Sequence, residues 1–175
     1  MKYFLCRVKD LFRNYRALLL LFKLNCMKKL LLLTGFTLLT SVIIFAQKSA
    51  VFIADGAAIH GYDAVAYFKD SKAVKGDSLV SYSWDGAEWR FASKENLEAF
   101  KATPEKYAPQ YGGYCAYGAS AGAGHKAPTD PEAWMVVNGK LYFNYNKNVQ
   151  QMWIKKQQEL IQIADKNWPA FKDKE

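Results

Sequence analysis

Leu79-Val80-Ser81-Tyr82-Ser83-Trp84-Asp85-Gly86-Ala87-Glu88-Trp89-Arg90-Phe91-Ala92 decides the fold class. Two runs rich in aromatic and β-branched residues, Leu79 to Trp84 and Glu88 to Ala92, meet across Asp85-Gly86. Both turn residues tolerate positive φ, which a tight hairpin needs. The same logic places a second hairpin at Ala133-Trp134-Met135-Val136-Val137 and Lys140-Leu141-Tyr142-Phe143-Asn144, turned by Asn138-Gly139.

Helices fill the space around these hairpins. Ser93 is a suitable N-cap for a short central helix from Lys94 to Ala102, with Leu97 and Phe100 on one face and Pro104 just beyond its end. Pro104 to Ala108 reads as one further turn. Near the C-terminus, Val149, Trp153, Leu160, Ile161, Ala164 and Trp168 form one apolar stripe, which predicts a long amphipathic helix over about Asn148 to Asn167, ended by Pro169. Upstream, Val51 to Phe68 is broken by Gly56 and Gly61 and reads as a strand, a turn and a second strand through Ala64-Val65-Ala66-Tyr67-Phe68. The sum is a small single α+β domain.

Charge confines that domain to residues 47–175. The chain has 175 residues and a formal charge of +8, but residues 1–46 hold eight of its 24 bases and one of its 16 acids. The remaining 129 residues carry a net charge of +1, which removes the argument for a nucleic-acid partner. From Met27, Met-Lys-Lys precedes an apolar run from Leu30 to Phe45 and then Ala46-Gln47, the pattern of a secretory signal peptide cut after Ala46. The run includes Thr34, Gly35, Thr37, Thr40 and Ser41, polar for a membrane span, so membrane attachment is expected only through an uncleaved leader. Residues 1–26 read as an upstream extension and Met27 as the true start; the product is then periplasmic or secreted.

Export leaves Cys115 as the last thiol, because Cys6 and Cys26 fall in the leader. An intramolecular disulfide is impossible in such a chain, and a dimer joined through Cys115 is compatible with it. Cys115 sits in Tyr111-Gly112-Gly113-Tyr114-Cys115-Ala116-Tyr117-Gly118, the start of a long irregular segment reaching Pro131. Long irregular segments in small domains are commonly functional. Glycines let main-chain N–H groups turn toward the sulfur, and His125 and Lys126 follow in the same segment. Cys115 and His125 are therefore the candidate catalytic pair, as nucleophile and helper. Tyr111, Tyr114, Tyr117 and Lys126 are candidates to line a small-ligand site. Cys115, His125 and His60 would together suit copper or zinc, although ligands 55 and ten residues apart match no metal motif. Against these stand plainer readings: a buried inert thiol, a strand-edge His60 and tyrosines that only tether a loop. No Ser/His/Asp hydrolase signature is present.

Residues Tyr82 to Tyr107 resemble a YHS domain in Asp85-Gly86, Phe91-Ala92-Ser93, Asn96, Phe100 and Pro104-Glu105-Lys106-Tyr107, with Asp63-Ala64-Val65-Ala66 matching an earlier element. The three places where metal-binding members carry cysteine hold Ala66, Ala92 and Asn96. Those positions should then be structural, with Ala92 buried and Asn96 in the first turn of a helix. Gly61 to Phe68, Tyr111 to Ala116, Asp130-Pro131, Gly139 to Asn146 and Asn167-Trp168-Pro169 are similar to an exported branch of the family, some members of which place selenocysteine where Cys115 stands. The resemblance implies thiol redox chemistry or soft-metal ligation at Cys115. The alternative is a non-catalytic, partner-binding or structural domain in which Cys115 is buried and inert.

Overall fold

Three Asx-Gly turns shape the three antiparallel hairpins found among the described residues. The structure is a computed structural model that describes residues 50–174; the expectations for residues 1–46, leader and extension alike, lie outside the described residues. At each turn both residues have positive φ: Asp55 and Gly56 (55° and 75°), Asp85 and Gly86 (49° and 72°), and Asn138 and Gly139 (51° and 73°). That combination twists in the sense of the strands it joins. β1 (Ile53–Ala54) pairs with β2 (Ala57–Ala58), β3 (Asp77–Trp84) with β4 (Ala87–Phe91), and β5 (Trp134–Val137) with β6 (Lys140–Phe143). In the second hairpin Tyr82 faces Trp89, and the register shifts between Asp77 and Ser81.

Between and after the hairpins run α1 (Ala66–Lys69), α2 (Lys94–Ala102), α3 (Pro104–Tyr107), α4 (Ala116–Ser120), α5 (Lys147–Ile154) and α6 (Gln157–Phe171). The architecture is the expected α+β, with differences at both ends. Ala64 to Phe68 forms the helical turn α1 and not a strand. The reason is Asp63, whose Oδ1 accepts the Val65 and Ala66 N–H groups at 2.8 and 3.2 Å and so starts a turn that β-propensity alone argues against. The expected single C-terminal helix is two, α5 and α6, broken at Lys155 and Lys156. The apolar stripe lapses there, between Trp153 and Leu160, so no buried contact carries the helix through. Pro169 does not end α6, which continues to Phe171; the Trp168 and Phe171 rings pack edge to face at 5.2 Å across it. Among the described residues no helix is long and apolar enough to cross a membrane.

Strand β6 divides the interior. Leu141 and Phe143 face one apolar cluster with Val65, Tyr67, Trp89, Phe91 and Phe100, while Tyr142 faces a second with Tyr111, Trp153, Ala164 and Phe171. The period-two alternation of a strand, buried here on both faces, explains why all three residues are nearly inaccessible.

The first cluster is tied together by a buried carboxylate. Asp63 is 0% exposed; besides Val65 and Ala66, the Ala92 N–H and Asn96 Nδ2–H donate to its Oδ2, both at 2.8 Å. Asn96 stands in the first turn of α2, which Ser93 caps by accepting the Asn96 N–H at 3.1 Å. Ala92, expected to be buried, is exposed; its contribution is its main-chain N–H and not its methyl. Asn96→Ala removes one donor from a buried charge and should lower the unfolding free energy by about 1–3 kcal/mol, read as a lower urea midpoint at unchanged slope. Ser93→Ala, which removes only the cap, should cost about 1 kcal/mol in the same assay.

Candidate functional site

Cys115 is the N-cap of α4, a position that usually holds Ser, Thr, Asp or Asn. Its Sγ accepts the Gly118 N–H at 3.5 Å from within α4 and the Tyr145 N–H at 3.3 Å from just after β6. A parallel bridge between Cys115 and Phe143 brings these two segments together. Asn144 Oδ1 lies 3.9 Å from Sγ and can accept from the thiol. Cys115 is 2% exposed, and no other cysteine lies among the described residues.

Asn144 is the unusual neighbour. Its side chain is 0% exposed, and its Nδ2 has no hydrogen-bond partner. A buried, unsatisfied donor costs about 1–3 kcal/mol. A half-turn of the amide would exchange oxygen for nitrogen and aim an N–H at Sγ, making a third donor when the sulfur carries negative charge. Sequence reasoning missed Asn144 and the Tyr145 N–H because they lie about thirty residues away, with no spacing rule that links them to Cys115.

The segment before Cys115 is held under conformational constraint. Tyr111 and Gly112 adopt left-handed φ of 55° and 60°, and Gly113 follows at 86°. Gly112 accepts the Phe52 N–H at 2.7 Å, and a Cβ on it would sit 1.8 Å from the Ala50 carbonyl oxygen, so only glycine fits. Tyr111 is anchored instead by its hydroxyl, which donates to Asp165 Oδ1 at 2.9 Å; burial first, then that carboxylate, pushes its ionisation up.

The expected site residues are not gathered around the sulfur. Tyr111 points to α6, Tyr114 packs between Phe52 and Trp168 with the Lys126 ammonium 5.5 Å from its ring centroid, and Tyr117 is 36% exposed. Burial also raises the ionisation of the Tyr114 hydroxyl. Lys126 donates to the Lys174 carbonyl at the far end of α6. His125 is exposed; its N–H donates to Gly118 O, and its ring lies so near Gly118 that a Cβ there would be 3.3 Å from Nε2. It therefore neighbours the residue that supplies one donor to Sγ.

His60 has a different task. Its Nδ1 is 3.0 Å from Asp55 Oδ2 and its Nε2 is 3.0 Å from Thr129 O, while Thr129 Oγ1–H donates to Gly113 O at 2.9 Å. The imidazole thus straps the first hairpin to the segment that follows α4. Among the described residues no three His, Cys, Asp or Glu side chains are grouped to hold a metal, so Cys115, His125 and His60 do not form the copper or zinc set considered from sequence.

Residues 65–111 match the YHS domain. The match contains Ala66, Ala92 and Asn96 and ends before Cys115. No curated protein and no solved structure matches the chain.

The Asp55–His60 strap makes a pH prediction. The His60 hydrogen bond, with attraction from His60, Lys75 and Arg90, holds the Asp55 carboxyl below its ordinary value of 3.8. A carboxyl lowered in the folded state contributes stability above that value and loses it as pH falls through the lower, folded one. Asp55→Asn should therefore lower the unfolding midpoint slightly near neutrality, where the ionised carboxyl contributes, and converge with the wild type as pH falls below about 4, giving a flatter acid limb by circular dichroism across a pH series.

Proposed function

We propose that this YHS-domain chain acts, after export to the periplasm or outside the cell, as a single-thiol redox protein in which Cys115 reacts with small hydroperoxides. The observation that carries the reading is the pair of main-chain N–H groups, from Gly118 and Tyr145, that donate to the sulfur, beside Asn144 Oδ1, which accepts from the thiol. Donors of this kind stabilise sulfur as it takes on negative charge, the form in which it is a nucleophile. The thiol sulfur attacks one peroxide oxygen, an S–O bond forms as the O–O bond breaks, and the thiol proton leaves on the displaced oxygen as water or alcohol. Sulfur is oxidised by two electrons to the sulfenic acid and the peroxide is reduced by two. With no second cysteine among the described residues, reduction falls to two molecules of an external low-mass thiol: the first condenses with the sulfenic acid to a mixed disulfide and water, and the second displaces the Cys115 thiol from it and leaves as the external disulfide.

Burial sets the substrate class. Cys115 is 2% exposed, so a substrate that reaches its sulfur has to be an oxidant of a few atoms. Soft-metal ligation receives less support, since the histidines considered for it are committed to a strap or turned to solvent. The same burial favours the competing reading, a structural domain with an inert Cys115. Intact-mass spectrometry separates the two. The folded protein should gain one oxygen from hydrogen peroxide faster than the urea-unfolded chain does, with Cys115→Ser unmodified, while a bulky maleimide should show the reverse order. Slower oxidation by hydrogen peroxide as well as slower alkylation by the maleimide in the folded chain sinks the redox reading and leaves the structural one.

A further inference from the structure

A cleft of about 320 Å³ lies on the first described residues, the turn after α3, the β3–β4 hairpin and α6. Two of the elements that line it each contribute a half-buried indole and an exposed carboxylate. From the hairpin come Trp84 and Asp85, and from α6 come Trp168 and Asp165. Both indoles are half-buried, and each is held by a second aromatic that is itself nearly inaccessible. Trp89, 1% exposed, packs 5.8 Å behind Trp84 and donates its indole N–H to the Trp84 carbonyl. Tyr111, 5% exposed, packs 5.9 Å from Trp168 and binds Asp165 Oδ1. The aromatic faces are thus fixed before any ligand arrives, which lowers the entropy cost of binding.

The charges point one way. Asp85 and Asp165 are exposed carboxylates, and the one cation among the lining residues, Lys172, lies 4.0 Å from Asp173 Oδ2. A cleft with indole faces and a surplus of negative charge attracts a cation that can shed its water, because the ring quadrupole is negative over the face. Its volume is at the small end of ligand pockets. We propose that this cleft is a binding site for a compact organic cation, of the quaternary ammonium or alkylguanidinium class, clamped between Trp84 and Trp168 and neutralised by Asp85 and Asp165. The site uses neither Cys115 nor its partners.

The test is a titration of the full chain with tetramethylammonium chloride, followed by tryptophan fluorescence and calorimetry, beside the neutral 2,2-dimethylpropanol and cellobiose. Saturable binding of the cation alone is expected. Asp85→Asn/Asp165→Asn together should weaken it by about fivefold or more. That pair suits the fold, since asparagine accepts the positive φ of 49° at position 85 and an amide oxygen still accepts from Tyr111. Trp168→Leu should weaken it further, with circular dichroism reporting whether α6 is kept. Equal binding of the neutral alcohol, preference for the saccharide, an unchanged affinity in the double variant, or no saturable signal would each overturn the proposal.

Discussion

The carboxylate of Asp63 is the constraint from which the rest of the described structure follows. An ionised group removed from water costs several kcal/mol unless its lone pairs are met, and here four N–H donors meet them. They come from the start of α1, the end of β4 and the first turn of α2. Satisfying that single charge therefore fixes three separate segments against one another. With α1 and α2 so placed, Tyr67 packs edge to face on Phe143 at 5.2 Å, and Phe100 stacks against Trp89 and Phe91 at 5.0 and 5.1 Å. The core of the first cluster forms around a polar lock that permits one arrangement of its neighbours. The positions where metal-binding YHS domains are expected to carry cysteine, Ala66, Ala92 and Asn96, are all donors to Asp63. Those three positions converge here on a carboxylate.

That lock bears on the sulfur through β6. Phe143 belongs to the cluster that Asp63 organises, and it is the residue that bridges to Cys115. The next two residues, Asn144 and Tyr145, supply the amide and the N–H that face Sγ. On the other side, Tyr142 anchors the second cluster, which holds the α4–α6 contact and Tyr111. The thiol is therefore placed where both clusters meet, by a strand that each of them grips from one face. Neither α4, with five residues, nor the strained turn ahead of it would define that position alone.

What could be read from the sequence was what local chemistry decides. The Asp85-Gly86 and Asn138-Gly139 hairpins and the Ser93 cap depend on residues within four positions of one another, and all three form as expected. Ala64 to Phe68 misled because its side chains favour a strand, while the Asp63 carboxylate that turns it into α1 is positioned by partners about thirty residues away. The break between α5 and α6 carries no glycine or proline; Lys156 and Gln157 stand three and four residues after Trp153, where an apolar residue would have continued the stripe. At the site, Cys115 was legible as a residue type in a glycine-rich setting. Its partners were not, because contacts across thirty residues leave no periodicity, and the histidines that composition made attractive are engaged elsewhere or exposed.

The choice of sulfur at an N-cap is itself an argument about purpose. A serine hydroxyl would cap α4 with shorter, stronger hydrogen bonds, and would give the buried Asn144 amide a better partner. Sulfur accepts at 3.3 and 3.5 Å, a weaker bond that leaves more of the cost of burying Asn144 uncompensated. What sulfur adds in exchange is polarisability and access to higher oxidation states. The hydrogen bonding around Cys115 is thus weaker than a hydroxyl would make, in a fold whose polar lock lies at Asp63 instead.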